Sequence, residues 1–375
     1  MPKAVHLIND EKFLPRFMER AAAYFSSSSY VVFGAQPPYK FITKQSEVYT
    51  PEDWQESADS GIQDVYIHFM TYQKIKWVKK HAPKARVHWV YFGSDLYELL
   101  TVFHGFKLYS KEDAKGGFLP NIKGKKPIEK IKRYASLWFY HGKFKRFVRE
   151  HLTTFRFWNE GDFDLFQKAF QTPARFIFFQ YGAYLESDIA YVKSVEKAAA
   201  QKDRLQVLVN HSGTRSGNHL HILSKIKEEV QRDGHGVHSI LSYGDAHHSE
   251  RVDRFGLASF GENWHPHKEF MPRLKYYELL SSIDVAIFGH VRQEAGNSLF
   301  ISMLLGTKIF VNNNSVLLPY LRANGFHFYT LNEVGQPGWL EPLSAEQRTE
   351  NKSAALAYFN PERIQIGYRK LAEQI

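Results

Sequence analysis

Two short stretches in the second half of the chain collect glycines, hydroxyls, carboxamides and guanidinium groups in a pattern suited to gripping a phosphate. They are Ser212-Gly213-Thr214-Arg215-Ser216-Gly217-Asn218 and Arg292-Gln293-Glu294-Ala295-Gly296-Asn297-Ser298. Each follows an apolar run, residues 205–210 and 284–288, and each opens into a helical pattern. A strand feeding such a turn into a helix aims backbone N–H groups and the positive end of the helix dipole at an anion. Neither stretch has the spacing of G-x-G-x-x-G or G-x-x-x-x-G-K-[ST]. One alone reads as an ordinary strand-to-helix turn; two in one half of a chain point to a nucleotide diphosphate. Arg215 and Arg292 then compensate phosphate charge, and Glu294 contacts a sugar or ribose hydroxyl, with surface salt bridging as the plainer alternative. Thr214, Ser298 and Tyr243, the last ending an expected strand at 237–243, join the donor-side candidates.

A second set of reactive residues lies in the first half. Asp95, in the run HWVYFGSDLY (88–97), stands where a strand gives way to a helix. A carboxylate there can deprotonate an acceptor hydroxyl as general base. The same position suits helix N-capping shared with Ser94. His68, ending the preceding strand, and Tyr97 are candidates for the acceptor side of a cleft, against the reading of a satisfied, buried histidine. The pairs His247-His248 and His265-Pro266-His267 do not make a metal site, because adjacent histidines diverge on a helix and no carboxylate spacing completes one. No metal or other cofactor is expected. Absence of cysteine excludes disulfides, thiolate catalysis and cysteine-zinc sites, and no Gly-x-Ser-x-Gly elbow is present.

The elements that must position these residues alternate. Strands are expected at 4–9, 30–34, 64–69 and 87–93, with helices at about 11–25, 71–82 and 94–103. Strands separated by helices imply right-handed crossovers and a parallel sheet. Residues 107–127, rich in glycine, read as a surface loop. The second half repeats the scheme, with strands expected at 175–180, 205–210, 237–243, 257–260, 284–288 and 308–311. Leu220, Leu223, Ile226 and Val230 form a stripe at helical spacing, whereas residues 299–305 are apolar on all sides and call for a deeply buried helix closed by Gly306. A break near 160–175 divides the chain. Two doubly wound α/β domains are therefore expected, at 1–165 and 175–345, facing a central cleft, with a helix at 360–375 returning across the junction.

With 375 residues, 43% of them hydrophobic, the chain can bury two cores. No apolar run approaches the roughly 18–20 residues that span a bilayer. The opening MPKAVHLIND reads as a strand rather than an export signal, so the expected compartment is the cytoplasm. A net charge of +10 implies an anionic partner. Much of it falls in residues 123–158, where Ile128, Ile131, Ala135, Trp138 and Phe139 share one helical face. Lys125, Lys126, Lys130, Lys132, Arg133, Lys143, Lys145 and Arg146 surround that face. A basic amphipathic helix carrying Trp and Phe suits an anionic membrane surface, each cation contributing about 1 kcal/mol. The plainer reading is a helix packed on its own sheet. No RNP, zinc-finger or helix-turn-helix pattern accompanies it, so no nucleic-acid partner is expected.

The segments LVNHSGTRSGNH (208–219), YYELLSSIDVAIF (276–288) and RQEAGNSLFISMLLGTKIFVNNN (292–314), with WVYFGSDLY (89–97), resemble the bacterial 4-alpha-L-fucosyltransferase family. The similarity runs through most of 175–330 and is patchier before it. It implies a GT-B fold, a TDP- or UDP-sugar donor in the second domain, and a polyprenyl-diphosphate-linked glycan acceptor. The sugar would be fucose-like or N-acetylfucosamine-like, and the product a bacterial surface polysaccharide of the enterobacterial common antigen kind, made at the inner face of the inner membrane. Carried over, it puts Ser212, Gly213, Arg215, Ser216 and Asn218 in one donor loop, Arg292, Gln293, Gly296 and Asn297 in the other, and Asp95 in the first domain's cleft. Many retaining GT-B enzymes carry two glutamates eight residues apart; here Glu294 is followed by Ser302. Two other functions fit the same elements, a sugar-nucleotide epimerase and a non-catalytic peripheral protein on anionic lipid.

Overall fold

The computed structural model describes residues 3–25, 27–43, 47–54, 61–93, 95–114, 127–182, 186–195 and 204–373. The chain divides into two compact units, one of residues 1–105, 119–183 and 361–375, the other of 106–118 and 184–360.

Among the described residues the first unit holds a seven-stranded parallel sheet. Its strands are β1 (Lys3–Asn9), β2 (Ser28–Phe33), β3 (Val48–Tyr49), β4 (Ile62–His68), β5 (Arg86–Val90), β6 (Leu152–Phe157) and β7 (Arg175–Phe178), in the order β3-β2-β1-β4-β5-β6-β7. The second unit's strands are β8 (Gln206–Val209), β9 (Gly236–Ile240), β10 (Trp264–His267), β11 (Val285–Phe288), β12 (Lys308–Val311) and β13 (Tyr329–Thr330), in the order β10-β9-β8-β11-β12-β13. In both sheets the chain starts in the middle, winds to one edge, and returns to the other side of its first strand. The order reverses between β1 and β4 and again between β8 and β11. At such a reversal neighbouring connections leave toward opposite faces, which opens a crevice at the carboxyl ends of the strands.

The strands are apolar because both faces are covered. Val5, Leu7 and Ile8 of β1, and Val207, Leu208 and Val209 of β8, are buried. Helix His219–Arg232 turns Leu220, Leu223, Ile226 and Val230 inward, each contributing roughly 1.5–3 kcal/mol of apolar burial. Helix Gly296–Leu304 is buried on all sides, and Gly306, at φ 80°, accepts the left-handed turn that ends it.

The observed elements depart from the expected ones in four places, each for a visible reason. Residues 257–260 are the last turn of helix Ala246–Phe260; Val252, Gly256, Ser259 and Phe260 face inward at helical spacing and Leu257 faces out. Strand β6 was hidden inside the basic segment by Arg156, which is fully buried, donates from Nε to Thr154 Oγ1 at 2.9 Å and reaches the Lys370 carbonyl at 2.7 Å. His265-Pro266-His267 forms the edge strand β10, where proline's missing N–H is tolerated, and His267 meets His238 at 3.1 Å. The break at Thr172-Pro173 is a turn leading into β7, which pairs with β6, so residues 175–178 belong to the first unit. The closing helix Pro361–Ala372 also belongs to the first unit, where Tyr66 donates to the Leu371 carbonyl at 2.7 Å.

The basic helix spans Pro127–Glu150 and has two characters. Phe144, Phe147 and Val148 are fully buried, whereas Ile131, Trp138 and Phe139 are 63%, 72% and 48% exposed. Lys132, Lys143 and Arg146 are exposed, Lys145 is half-buried, and Arg133 pairs with Glu98 at 2.7 Å. Lys125 and Lys126 lie outside the described residues, as does the side chain of Lys130. Among the described residues no helix is long and apolar enough to cross a membrane.

Beside β1 lies a group of buried histidines. The His6 ring is stacked between Tyr30 and Tyr66, with centroids 5.1 and 4.8 Å away. Burial, helped by His88, pushes its pKa down to about 3, and burial takes His88 down to about 4. The unfolded chain takes up these protons near pH 6.5 and the folded chain does not. Their contribution is therefore complete above about pH 6.5 and falls as pH drops toward 4, by roughly 1.4 kcal/mol per pH unit for each group. The denaturant midpoint should fall between pH 7 and pH 5, with a smaller slope in His6→Phe. An unchanged slope in the variant would show that His6 protonates without unfolding.

Candidate functional site

The two sequence turns emerge from the adjacent carboxyl ends of β8 and β11, where the order of the second sheet reverses. Two asparagines join them. Asn210, at φ 59°, donates from its side chain to the Gly217 carbonyl and accepts from the Gly289 amide, both at 2.9 Å. Asn218, at φ 54°, donates to the Gly289 carbonyl at 2.9 Å. Gly289 is required by closeness: a Cβ there would lie 2.1 Å from the Gly217 carbonyl oxygen. Neither Asn210 nor Gly289 was singled out from sequence, although each directly follows a strand.

Glu294 joins the turns from the other side. Its carboxylate accepts from Thr214 Oγ1 at 3.1 Å, from Ser216 Oγ, and from Arg292 Nε at 2.8 Å. Burial pushes its pKa up, but His290, Arg292 and these hydrogen bonds outweigh burial and hold it well below the usual carboxylate range. Burial lowers the pKa of His290 itself, so Arg292 is the charge that offsets Glu294 at neutral pH. The His211 and His290 rings lie 5.1 Å apart. Among the described residues, His211 Nδ1 and both His290 nitrogens are buried without a hydrogen-bond partner.

The helix N-termini differ. At His219–Arg232 the anion position is taken by the protein itself: Asp113 accepts from the amides of Leu220 at 3.2 Å and His221 at 3.1 Å. Asp113 belongs to the short helix Lys111–Ala114, inside the expected surface loop and part of the second unit. Its backbone carbonyl also takes Arg215 Nε at 2.6 Å, while the Arg215 guanidinium lies 4.6 Å from the Tyr109 ring. Among the described residues, one guanidinium nitrogen, Nη2, stays buried without a partner. The first turn therefore does not present its helix dipole to a ligand, contrary to the sequence reading. That helix end is occupied.

At the second turn no side chain caps the helix. Helix Gly296–Leu304 begins after Ala295, at φ 62°, whose methyl group cannot accept a hydrogen bond. The amides of Gly296, Asn297 and Ser298 and the dipole of a buried helix thus suit an anion. Ser298 Oγ is held by Tyr276 Oη at 2.8 Å, Gln293 is half-buried, and Asn297 is exposed. Ser212 and Thr214 hydroxyls lie 2.9 Å apart, and the Gly213 amide is tied to the Tyr243 carbonyl at 2.8 Å, leaving the Tyr243 ring half exposed.

In the first unit Asp95 is buried and ties together the strand ends. It accepts from the Met70 amide at 2.9 Å, the Trp89 indole at 2.8 Å and, at 3.4 Å, the Phe92 amide. Burial raises its pKa to about 6 against these hydrogen bonds. Helix Tyr97–Phe103 has Leu96 as its N-cap residue, without a side-chain cap, so Asp95 does not cap it; Ser94 lies outside the described residues. His68 and Tyr97, read as facing an acceptor, are enclosed instead. His68 is in hydrogen-bond contact with His6 at 3.1 Å and with Tyr181, and Tyr97 donates to Asp162 at 2.6 Å. Large rings at strand ends are drawn into an aromatic interior.

A family model described as 4-alpha-L-fucosyltransferase, glycosyl transferase group 56, matches residues 121–373. No curated protein matches the chain in sequence. Solved structures resemble it over nearly the whole length. Sucrose-phosphate synthase (tll1590) from Thermosynechococcus elongatus has a TM-score of 0.62 at 9% identity, over 99% of this chain and 98% of that one. A glycosyltransferase from Rickettsia africae ESF-5 has a TM-score of 0.55 at 8% identity, over 99% and 97%. Anabaena Alr3699/HepE, solved in complex with UDP and glucose, has a TM-score of 0.55 at 10% identity, over 99% and 98%. At these identities the likeness is one of fold, and that fold is GT-B.

Gly289→Ala should force the two turns apart, costing about 1–3 kcal/mol by overpacking and weakening pyrophosphate binding measured by calorimetry. Gly142→Ala is the control, because a Cβ there meets nothing within 4 Å. Unchanged pyrophosphate affinity in Gly289→Ala would show that the turns do not act together.

Proposed function

The chain belongs to the 4-alpha-L-fucosyltransferase family, glycosyl transferase group 56, and on that premise we propose which sugar it moves, from what and to what. The donor is a TDP- or UDP-linked deoxy-amino or fucose-type sugar. The acceptor is a hydroxyl of a polyprenyl-diphosphate-linked glycan, in bacterial surface polysaccharide synthesis. The observation that carries the donor half is the uncapped N-terminus of helix Gly296–Leu304 at the reversal point of the second sheet, beside Arg292.

The donor diphosphate lies against the amides of Gly296, Asn297 and Ser298, with Arg292 and the unpartnered nitrogen of Arg215 supplying positive charge. As the bond between the anomeric carbon and the phosphate oxygen breaks, its electron pair leaves with the nucleoside diphosphate, where fixed dipoles stabilise it. These groups stand where a divalent cation would otherwise serve. Glu294, kept ionised by Arg292, accepts from a donor-sugar or ribose hydroxyl. Tyr243, Ser212, Thr214, Ser216, Asn218 and Gln293 complete the donor side. The acceptor oxygen bonds to the anomeric carbon and gives its proton to Asp95, whose raised pKa suits a base near neutral pH.

The acceptor half is supported by helix Pro127–Glu150. Its exposed Ile131, Trp138 and Phe139 among exposed cations fit an anionic bilayer surface, so the protein works peripherally at the inner face of the inner membrane.

A thermal-shift panel of TDP, UDP and GDP tests the donor. TDP or UDP should stabilise the protein, Arg292→Ala should remove the shift, and no shift with any of the three would end this reading. Product analysis with and without lipid-linked glycan separates transfer from epimerisation, which needs no acceptor. Asp95→Asn should abolish transfer but keep the nucleotide shift, and wild-type turnover should fall as pH drops through about 6. Full activity in the variant leaves Asp95 as a tie between strand ends and nothing more.

A further inference from the structure

The first unit carries a groove of 840 Å³ that none of the residues above explains. Its size lies within the roughly 300–1,000 Å³ of small-molecule sites. One wall is helix Tyr72–His81, begun by Thr71, whose side chain accepts from the Lys74 amide at 3.3 Å. Gln73, Lys76, Trp77 and Lys80 recur at helical spacing and line that wall. The facing wall comes from the chain just beyond β2 and β3, where Phe33, Ala35 and Pro51 supply apolar surface. The groove thus opens at the carboxyl ends of parallel strands, the end that binds ligands in such sheets.

Its chemistry is divided. The floor is apolar, and Trp77 is buried there against Trp54 with ring centroids 5.4 Å apart. Among the described residues, the Trp77 indole N–H is buried without a hydrogen-bond partner. The lining, among the described residues, holds Lys76, Lys79 and Lys80 and one carboxylate, Glu52. An apolar trough lined with cations complements an amphiphile that is anionic at one end. Helix Tyr72–His81 also touches the basic helix: the Tyr72 ring lies 5.5 Å from Phe139, and Lys79 lies 6.0 Å from the Phe147 ring. The groove and the exposed apolar face of Pro127–Glu150 are therefore neighbours within one unit.

We infer that this groove receives the lipid end of the acceptor, a polyprenyl chain against Phe33, Ala35 and Trp77, with its phosphate held by Lys76 and Lys80. The inference rests on the reading of a lipid-linked acceptor. It adds that the protein selects its lipid by chain and phosphate together, apart from general attraction to negative charge.

The test uses the full chain and phosphatidylcholine vesicles doped with polyprenyl phosphate, or with phosphatidylglycerol at matched charge. Wild type should bind the polyprenyl phosphate vesicles several-fold more tightly. Ala35→Trp, which fills the groove, and Lys76→Glu with Lys80→Glu should bring that binding down to the phosphatidylglycerol level. Both should keep the nucleotide thermal shift, a check on folding made in the other unit. Trp138→Ala should weaken binding to both vesicles alike and leave the preference. Equal binding of the two vesicles by wild type, a preference intact in both groove variants, or loss of the preference to soluble inorganic phosphate alone would overturn the inference. Absence of any nucleotide shift in wild type would count against the donor reading and not against the groove.

Discussion

The second unit depends on a closeness that only glycine and asparagine permit. Where β8 and β11 lie side by side, their connections depart toward opposite faces, and the chain must bend sharply at once on both. Asn210 and Asn218 take left-handed backbone angles; the Asn210 carboxamide satisfies the Gly289 amide, and Asn218 together with Asn312 satisfies the Gly289 carbonyl. An unpaired buried backbone group costs about 1–3 kcal/mol. Without these two side chains the turns would separate and admit water. The hydroxyls of Thr214 and Ser216 would then lose the carboxylate of Glu294.

That junction also explains why so much polar surface can be enclosed. Glu294 is buried at a cost that would raise its pKa, and the cost is offset by one guanidinium and two hydroxyls. Removing one partner from such a set is expensive because the remaining charge stays desolvated. The histidine nitrogens beside it that lack hydrogen bonds, Nδ1 of His211 and both of His290, are a different matter, because neutral imidazole carries no such charge. Within the second unit the polar cluster is thus a closely tied frame with some unfilled hydrogen-bonding capacity, which the proposed donor site would use.

Much of this was legible in the sequence. The alternation of strands and helices, the buried character of residues 299–304 and the stripe from Leu220 to Val230 follow from periodicity, and all are seen. The two turns were found from residue type, and the structure brings them together. What escaped was carried by contacts distant in sequence. Asp113 reaches a helix more than a hundred residues later, and nothing local to Lys111–Ala114 announces it. Arg156 put a charge into an interior strand because, besides Thr154 on the same strand, it reaches the Lys370 carbonyl in the chain's last helix. His68 ends β4 and Tyr97 opens the helix that follows β5, places where sequence reading expects function, but their rings are claimed by neighbouring aromatic groups and by Asp162. Position along a strand tells which end of the sheet a residue occupies. It does not tell which way the side chain turns.

Helix Pro127–Glu150 shows the same limit from the opposite side. A periodicity argument assigns it one apolar face, yet its two halves meet different surroundings. The later half buries Phe144, Phe147 and Val148, and that burial anchors the helix to its sheet. The earlier half carries Ile131, Trp138 and Phe139 in water, where each leaves apolar area exposed at roughly 25 cal/mol per Å². Burial within the chain would have been the cheaper arrangement. A helix secured at one end and apolar but uncovered at the other gains that energy only when something apolar arrives. On the proposed reading, the surrounding lysines and arginines bias the arrival toward an anionic surface, and the cation-lined groove on the neighbouring helix would give that surface its chemical identity.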